Sequence, residues 1–201
     1  MGKLAIVAVL CAIASAPARA DDHLGQVGLS MRFGLGVRGI LPYDHTVYCG
    51  TADATAQYGN AAACASRVPF TLGFEASYGV GRHVDLLVEL GLGLERDFGG
   101  APGQGNGPRP LFVSPGARFF FGESKNSRLF LTTQLLVDLE DFKDANGKSR
   151  GTDYGVRGLE GYWIDLHRAY GFYLYIGETA EFARWLEGAI EGGVGFQGRY
   201  P

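Results

Sequence analysis

Four histidines, His23, His45, His83 and His167, are the natural acid–base groups of this sequence. A nucleophilic hydrolase needs a hydroxyl or thiol within reach of such a base, and a third group to orient the base. No histidine here has a Ser or Thr two positions on, and His45 and Thr46 are adjacent. A metal site needs clustered His, Cys or carboxylate ligands. Asp138, Glu140 and Asp141 form a small acidic group, which reads as solvated charge at the start of a loop rather than a divalent-ion site. The run GGAPGQGNGP at 99–108 has no Lys-Ser/Thr after it, so it reads as a surface loop and not a phosphate cradle. The sequence therefore predicts no catalytic residue, no cofactor and no metal.

The chemistry that remains is charge pairing and one thiol pair. Arg32, Arg38, Arg118, Arg157 and Arg199 stand on the polar side of alternating segments, as do Glu75, Asp85, Glu89, Asp138, Glu187 and Glu191. In a confined space such charges are tolerable when paired and costly when isolated, so they form a candidate network. Cys49 and Cys64 are candidates for a disulfide, because the segment ahead of them is an export signal. Lys3 supplies its positive region, Leu4–Ser15 its apolar run, and Ala18-Arg19-Ala20 a cleavage site. Twelve apolar residues are too few to span a bilayer as a helix. Leu10 before Cys11 argues against a lipoprotein. Removing residues 1–20 takes Lys3 and Arg19 from 18 basic residues and leaves 16 against 21 acidic ones, a net charge of −5. That balance does not suggest a nucleic-acid partner.

The elements that position these groups follow from period 2, the mark of a strand with two unlike faces. It is read over residues 26–40, 68–80, 83–94, 111–121, 129–140, 154–166, 172–177 and 186–200. In the first, Val27, Leu29, Met31, Phe33, Leu35 and Val37 oppose Gln26, Gly28, Ser30, Arg32, Gly34, Gly36 and Arg38. In the sixth, Gly158 and Glu160 interrupt the apolar face, and a bulge near Gly158 is expected there. The connections 41–67, 95–110, 141–153 and 178–185 read as loops at one end, and 81–82, 122–128 and 167–171 as turns at the other. This predicts an all-β fold, an eight-stranded antiparallel up-and-down transmembrane β-barrel over residues 21–201. The 32 glycines are more than twice the usual share of about 7%, and many of them lie within these strands, which demands a reason.

Alternation does not by itself say which face is inside, since soluble barrels alternate too. Three features place the apolar face outward. The lysines after the export segment, Lys125, Lys143 and Lys148, all fall in proposed turns or loops. About six mostly large apolar residues per strand exceed the interior of an eight-stranded barrel. The polar face is rich in Gly and Ser with charges of both signs, and an Arg on the lipid side would cost about 2–4 kcal/mol. Tyr78, Phe98, Phe121, Tyr154, Tyr162 and Phe172 lie near strand ends, where aromatic girdles occur.

The export segment, eight amphipathic strands and the final GGVGFQGRYP resemble the small bacterial outer-membrane barrel proteins of the OmpA and OmpX type. The resemblance implies an outer-membrane location, membrane lipid around the wall and the barrel-assembly machinery as a partner. That machinery reads a terminal aromatic residue; here Tyr200 stands before Pro201. Some such barrels modify lipid A, with His and Ser two apart on the outer surface, a pattern this chain lacks. The functional expectation is a non-enzymatic structural or surface-interaction role, with an external ligand bound through the loops. The alternatives are a narrow, porin-like pore for small solutes and, after it, a lipid A-modifying enzyme.

Overall fold

The structure, a computed structural model, describes residues 23–41, 43, 64–97, 108–122, 127–141, 149, 151–167 and 169–200. Eight strands follow one another: β1 (Val27–Leu41), β2 (Cys64–Gly81), β3 (Val84–Gly93), β4 (Leu111–Phe121), β5 (Ser127–Asp138), β6 (Asp153–His167), β7 (Tyr170–Glu181) and β8 (Leu186–Tyr200). Each pairs antiparallel with the next, and β8 pairs with β1, so the sheet closes into a barrel without a free edge. No helix is long and apolar enough to cross a membrane among the described residues.

The apolar period fixes the outside. Leu29, Leu35, Val37, Leu135 and Ile190 are each more than half exposed, and the outward positions of every strand continue this wall. Their partners in the period, among them Arg32, Glu75, Asp85, Glu89 and Arg118, are buried in the lumen. The barrel's interior is therefore polar at many positions, with an apolar cluster of Phe120, Phe130, Leu159, Trp163, Tyr173 and Tyr175 among the charges.

Glycines make room for inward rings. An added Cβ at Gly195 on β8 would collide with the Tyr173 ring, and one at Gly91 on β3 with the Phe112 ring. At both positions one strand sends an aromatic ring into the lumen and its cross-strand partner supplies no side chain. This is how an eight-stranded barrel accommodates large inward groups.

Three elements depart from the sequence reading. No bulge forms at Gly158: β6 pairs with β5 in unbroken register from Ser127↔Ile164 to Asp138↔Asp153. The irregularity lies between Asp165 and His167, against β7. With no inserted residue the faces keep alternating, so Gly158 and Glu160 both point outward and Glu160 is exposed on the wall. The strand β7 runs on to Glu181, which pairs with Glu187, so the loop expected at 178–185 contracts to 182–185. Its charged residues hid a strand whose faces still alternate. The strand β2 begins at Cys64 because Ala65, Ser66 and Arg67 pair with the end of β1, and small polar residues carry no apolar period to reveal it. The segment 1–20, His45, Cys49, Phe98, Lys125, Lys143 and Lys148 lie outside the described residues, and Cys64 is described only by its place in the strand.

Candidate functional site

The functional groups of this barrel line its lumen, so the site is built in layers along the axis. The first layer lies at the end that holds the N-terminal segment and the short turns. His23, just ahead of β1, approaches Asp85 on β3 through Nδ1 at 3.2 Å. Arg128 on β5 lies 3.1 Å from its Nε2. A guanidinium can only donate, so Nε2 accepts and the proton sits on Nδ1, facing the carboxylate. Burial holds the His23 imidazole below its ordinary value, and the Asp85 hydrogen bond opposes that shift. Arg199 on β8 donates to the other Asp85 oxygen at 2.6 Å, and the Trp163 indole donates to Asp165 at 2.7 Å.

The middle layers are closed by paired charge. Arg118 on β4 donates to Glu75 on β2 at 2.6 Å and to Thr132 at 3.0 Å, with its guanidinium over the rings of Phe130 and Tyr173. Arg32 on β1 reaches Glu89 on β3 at 2.7 Å, Glu191 on β8 at 2.9 Å and the Tyr175 hydroxyl at 2.6 Å. Gln134 donates to Glu89 at 3.2 Å, and Arg157 stands 3.6 Å from the same carboxylate, over the Phe112 ring. Asp85, Glu89, Ser114, Arg118, Thr132 and Tyr173 have no accessible surface. Side chains lining an open aqueous channel would be wetted; these are not.

At the loop end the lumen opens slightly. Arg38 pairs with Asp97 and, at 3.3 Å, with Glu187, whose other oxygen accepts from the Trp185 indole at 3.0 Å. Arg184 donates to Asp138 at 3.0 Å and Glu140 at 3.3 Å. The backbone amides of Ala183 and Arg184 donate to Asp153, which pins the short β7–β8 connection.

The eleven charged residues singled out from the sequence thus fall in one continuous lumen, in three groups rather than one. Sequence reasoning left His23, Arg128, Arg184, Asp97 and Asp153 out of the network, put Gln134, Gln197, Tyr173 and Tyr175 on the polar face without giving them a role, and missed Trp163 and Trp185 as lumen fillers. For Tyr173 and Tyr175 the available signal was an inward-parity ring opposite an inward-parity glycine on β8; Trp163 faces Arg128 and Tyr173 and Trp185 lies in the β7–β8 connection, so neither carried it. Arg184 carried none, since it lies in a connection. His83 lies in the β2–β3 turn and His167 at the end of β6, stacked on Tyr170. Among the described residues, no group of three His, Cys, Asp or Glu converges as a metal ion requires.

No family model matches the chain, and no curated protein matches it in sequence. Solved structures do match in fold. The N-terminal β-barrel domain of Pseudomonas aeruginosa OprF is 12% identical with a TM-score of 0.53, over 87% of this chain and 98% of that one. The outer membrane protein OprG from Pseudomonas aeruginosa is 12% identical with a TM-score of 0.50, over 90% of this chain and 98% of that one. This chain has the fold of the small eight-stranded outer-membrane barrels. At such identities the likeness is one of fold.

Proposed function

We propose that this protein is an integral outer-membrane barrel with a closed lumen, acting through its loop end in a structural or surface-interaction role and not as an enzyme. The observation that carries the reading is the pairing of an exposed apolar wall with a mid-lumen whose charges are bonded and unwetted. Water would not tolerate that wall as an outer surface, and solutes would have to break several buried ion pairs to pass. On this reading residues 1–20 are an export signal, the N-terminal end faces the periplasm and the loop end faces outward. Cys49, in the first outer loop, is bonded to Cys64 at the start of β2. The non-enzymatic part is supported by the use of His23, whose two ring nitrogens face Asp85 and Arg128.

The test is functional and direct. Protein folded in detergent is expected to migrate differently on a gel before and after boiling, and to give no steady current after reconstitution in a planar bilayer. Fractionation as a soluble protein would end the membrane reading. A stable open conductance would instead make the protein a narrow pore.

A further inference from the structure

Charge balance in the lumen breaks at the loop end. A cavity of about 70 Å³ lies there, lined among the described residues by the carboxylates of Asp97, Asp138, Glu140, Glu181, Glu187 and Glu191 and by three guanidinium groups. Arg38 is committed to Asp97 and Glu187 and Arg184 to Asp138 and Glu140, while Arg157 bonds Thr179 and leans toward Glu89 in the layer below, its Nη1 without a hydrogen-bond acceptor among the described residues. Glu191 already bonds Arg32. Glu181 makes no hydrogen bond or ion pair with the described residues. Glu140, whose side chain is 6% exposed, has one oxygen facing Arg184 and a second, Oε2, with no hydrogen-bond partner among the described residues. A buried carboxylate oxygen without a donor is costly, and so is an uncompensated negative charge in a confined space.

We propose that this vestibule binds a primary alkylammonium group, with its head between Glu140 and Glu181 and its carbon stem against the apolar part of the lining. The chemistry selects that class. An ammonium offers three donors that can serve separated acceptors. A bare metal ion needs convergent ligands, which the described residues do not bring together. The remaining lining includes Val68, Phe112, Leu136 and Trp185, a surface suited to methylenes and to a cation beside an aromatic ring. A water needs about 10–15 Å³ of such volume, so the cavity holds roughly five water-sized atoms, the size of a four-carbon amine. The Glu140 carboxyl is pushed up to about 8 by burial, with Asp138 and Asp97 adding to the shift and Arg184 opposing it. Arg38 faces it too. Without a cation the site therefore holds a proton instead, and binding should tighten as pH rises through about 8.

The proposal deepens the surface-interaction reading and rests on it only for the side from which the ligand arrives. The two tryptophans supply the probe: Trp185 lines the cavity and Trp163 lies in the layer at the other end of the lumen. The folded barrel in micelles, with ¹⁵N-labelled indoles, is titrated with n-butylammonium and separately with Nα-acetyl-lysine methylamide. The Trp185 indole resonance is expected to move saturably and that of Trp163 to stay still. Tighter binding of the simple amine points to a free amine as the source, and tighter binding of the lysine derivative to a peptide. Glu140→Gln and Glu181→Gln, each checked for the heat-dependent gel shift, are expected to weaken binding about tenfold. Three results overturn the inference: a stationary Trp185 resonance, an equal response to neutral n-butanol, or unchanged affinity in both variants. A barrel that is heat-modifiable yet silent to amines sinks this proposal alone, whereas loss of heat-modifiability in the unaltered protein sinks the membrane reading.

Discussion

Glu160 is the residue whose position the barrel makes anomalous. Among the described outward positions of the strands, it, Glu178 and Arg67 are the charged ones, and Arg67 at the rim of β2 is paired with Glu95. Glu160 stands at the centre of β6, between Leu131 on β5 and Ile176 on β7, and no described side chain pairs with it. At that depth an exposed basic residue costs about 2–4 kcal/mol and an acidic one less. Glu160→Leu is therefore expected to stabilise the barrel by up to about 2 kcal/mol, read as a higher urea midpoint in lipid vesicles. A lower midpoint would mean that Glu160 makes a contact the wall depends on. This residue also marks a limit of reading the sequence. An acid in an apolar face looks like a break in the strand, so the expected bulge took its place; only the unbroken register assigns it to lipid. The lumen charges were more legible, because alternation assigns a face to each residue separately. Their pairing was not, since Arg32 and Glu191 are 159 residues apart and meet only through the stagger of a closed sheet.

At the scale of the strands, ring-to-glycine fit is the packing rule. Tyr173 on β7 is fully buried, stacked on Trp163 at 5.3 Å and edge-on to Phe130 at 5.5 Å. It fits because Gly195 on β8, its direct cross-strand partner, offers no side chain. Gly195→Val should overpack this site and destabilise the barrel by about 1–3 kcal/mol, measured by urea unfolding. Adding Tyr173→Ala should recover part of the loss, because the intruding methyls then fill the space the ring leaves. If Gly195→Val alone leaves the midpoint unchanged, the glycine is not there to make room. Period 2 had put Tyr173 and Tyr175 on the polar face without saying why a narrow lumen should accept them. The answer lay in a neighbouring strand, and no single segment contains it. The ends of β2 and β7 were hidden for a related reason: Cys64–Arg67 and Glu178–Glu181 are held by backbone pairing, which leaves no mark in hydropathy.

At the scale of the whole molecule, closure is the property on which the rest depends. The seam between β1 and β8 runs from Val27↔Tyr200 to Leu41↔Leu186 without a shift, joining the two ends of the chain. In lipid an unpaired backbone N–H or C=O costs several kcal/mol, so a barrel with part of its seam open has no stable intermediate to rest in. Deleting residues 196–201 would strip Val27–Met31 of its partners along the seam and take Arg199 away from Asp85 and Gln197 from Ser77. We expect that truncated protein to show no heat-modifiable form in detergent or vesicles. Two losses are mixed in that variant, backbone closure and the lumen contacts. A full-length protein carrying Asp85→Asn with Arg199→Met separates them. It removes both members of a buried pair while leaving the seam intact, a change far milder than leaving one charge unpaired. That variant should still show the heat-dependent gel shift, at a somewhat lower urea midpoint. A truncated chain that folds as well as the parent would refute the primacy of the seam. Failure of the double variant as well would place the decisive energy in the charged layer around His23 and Asp85 rather than in the backbone.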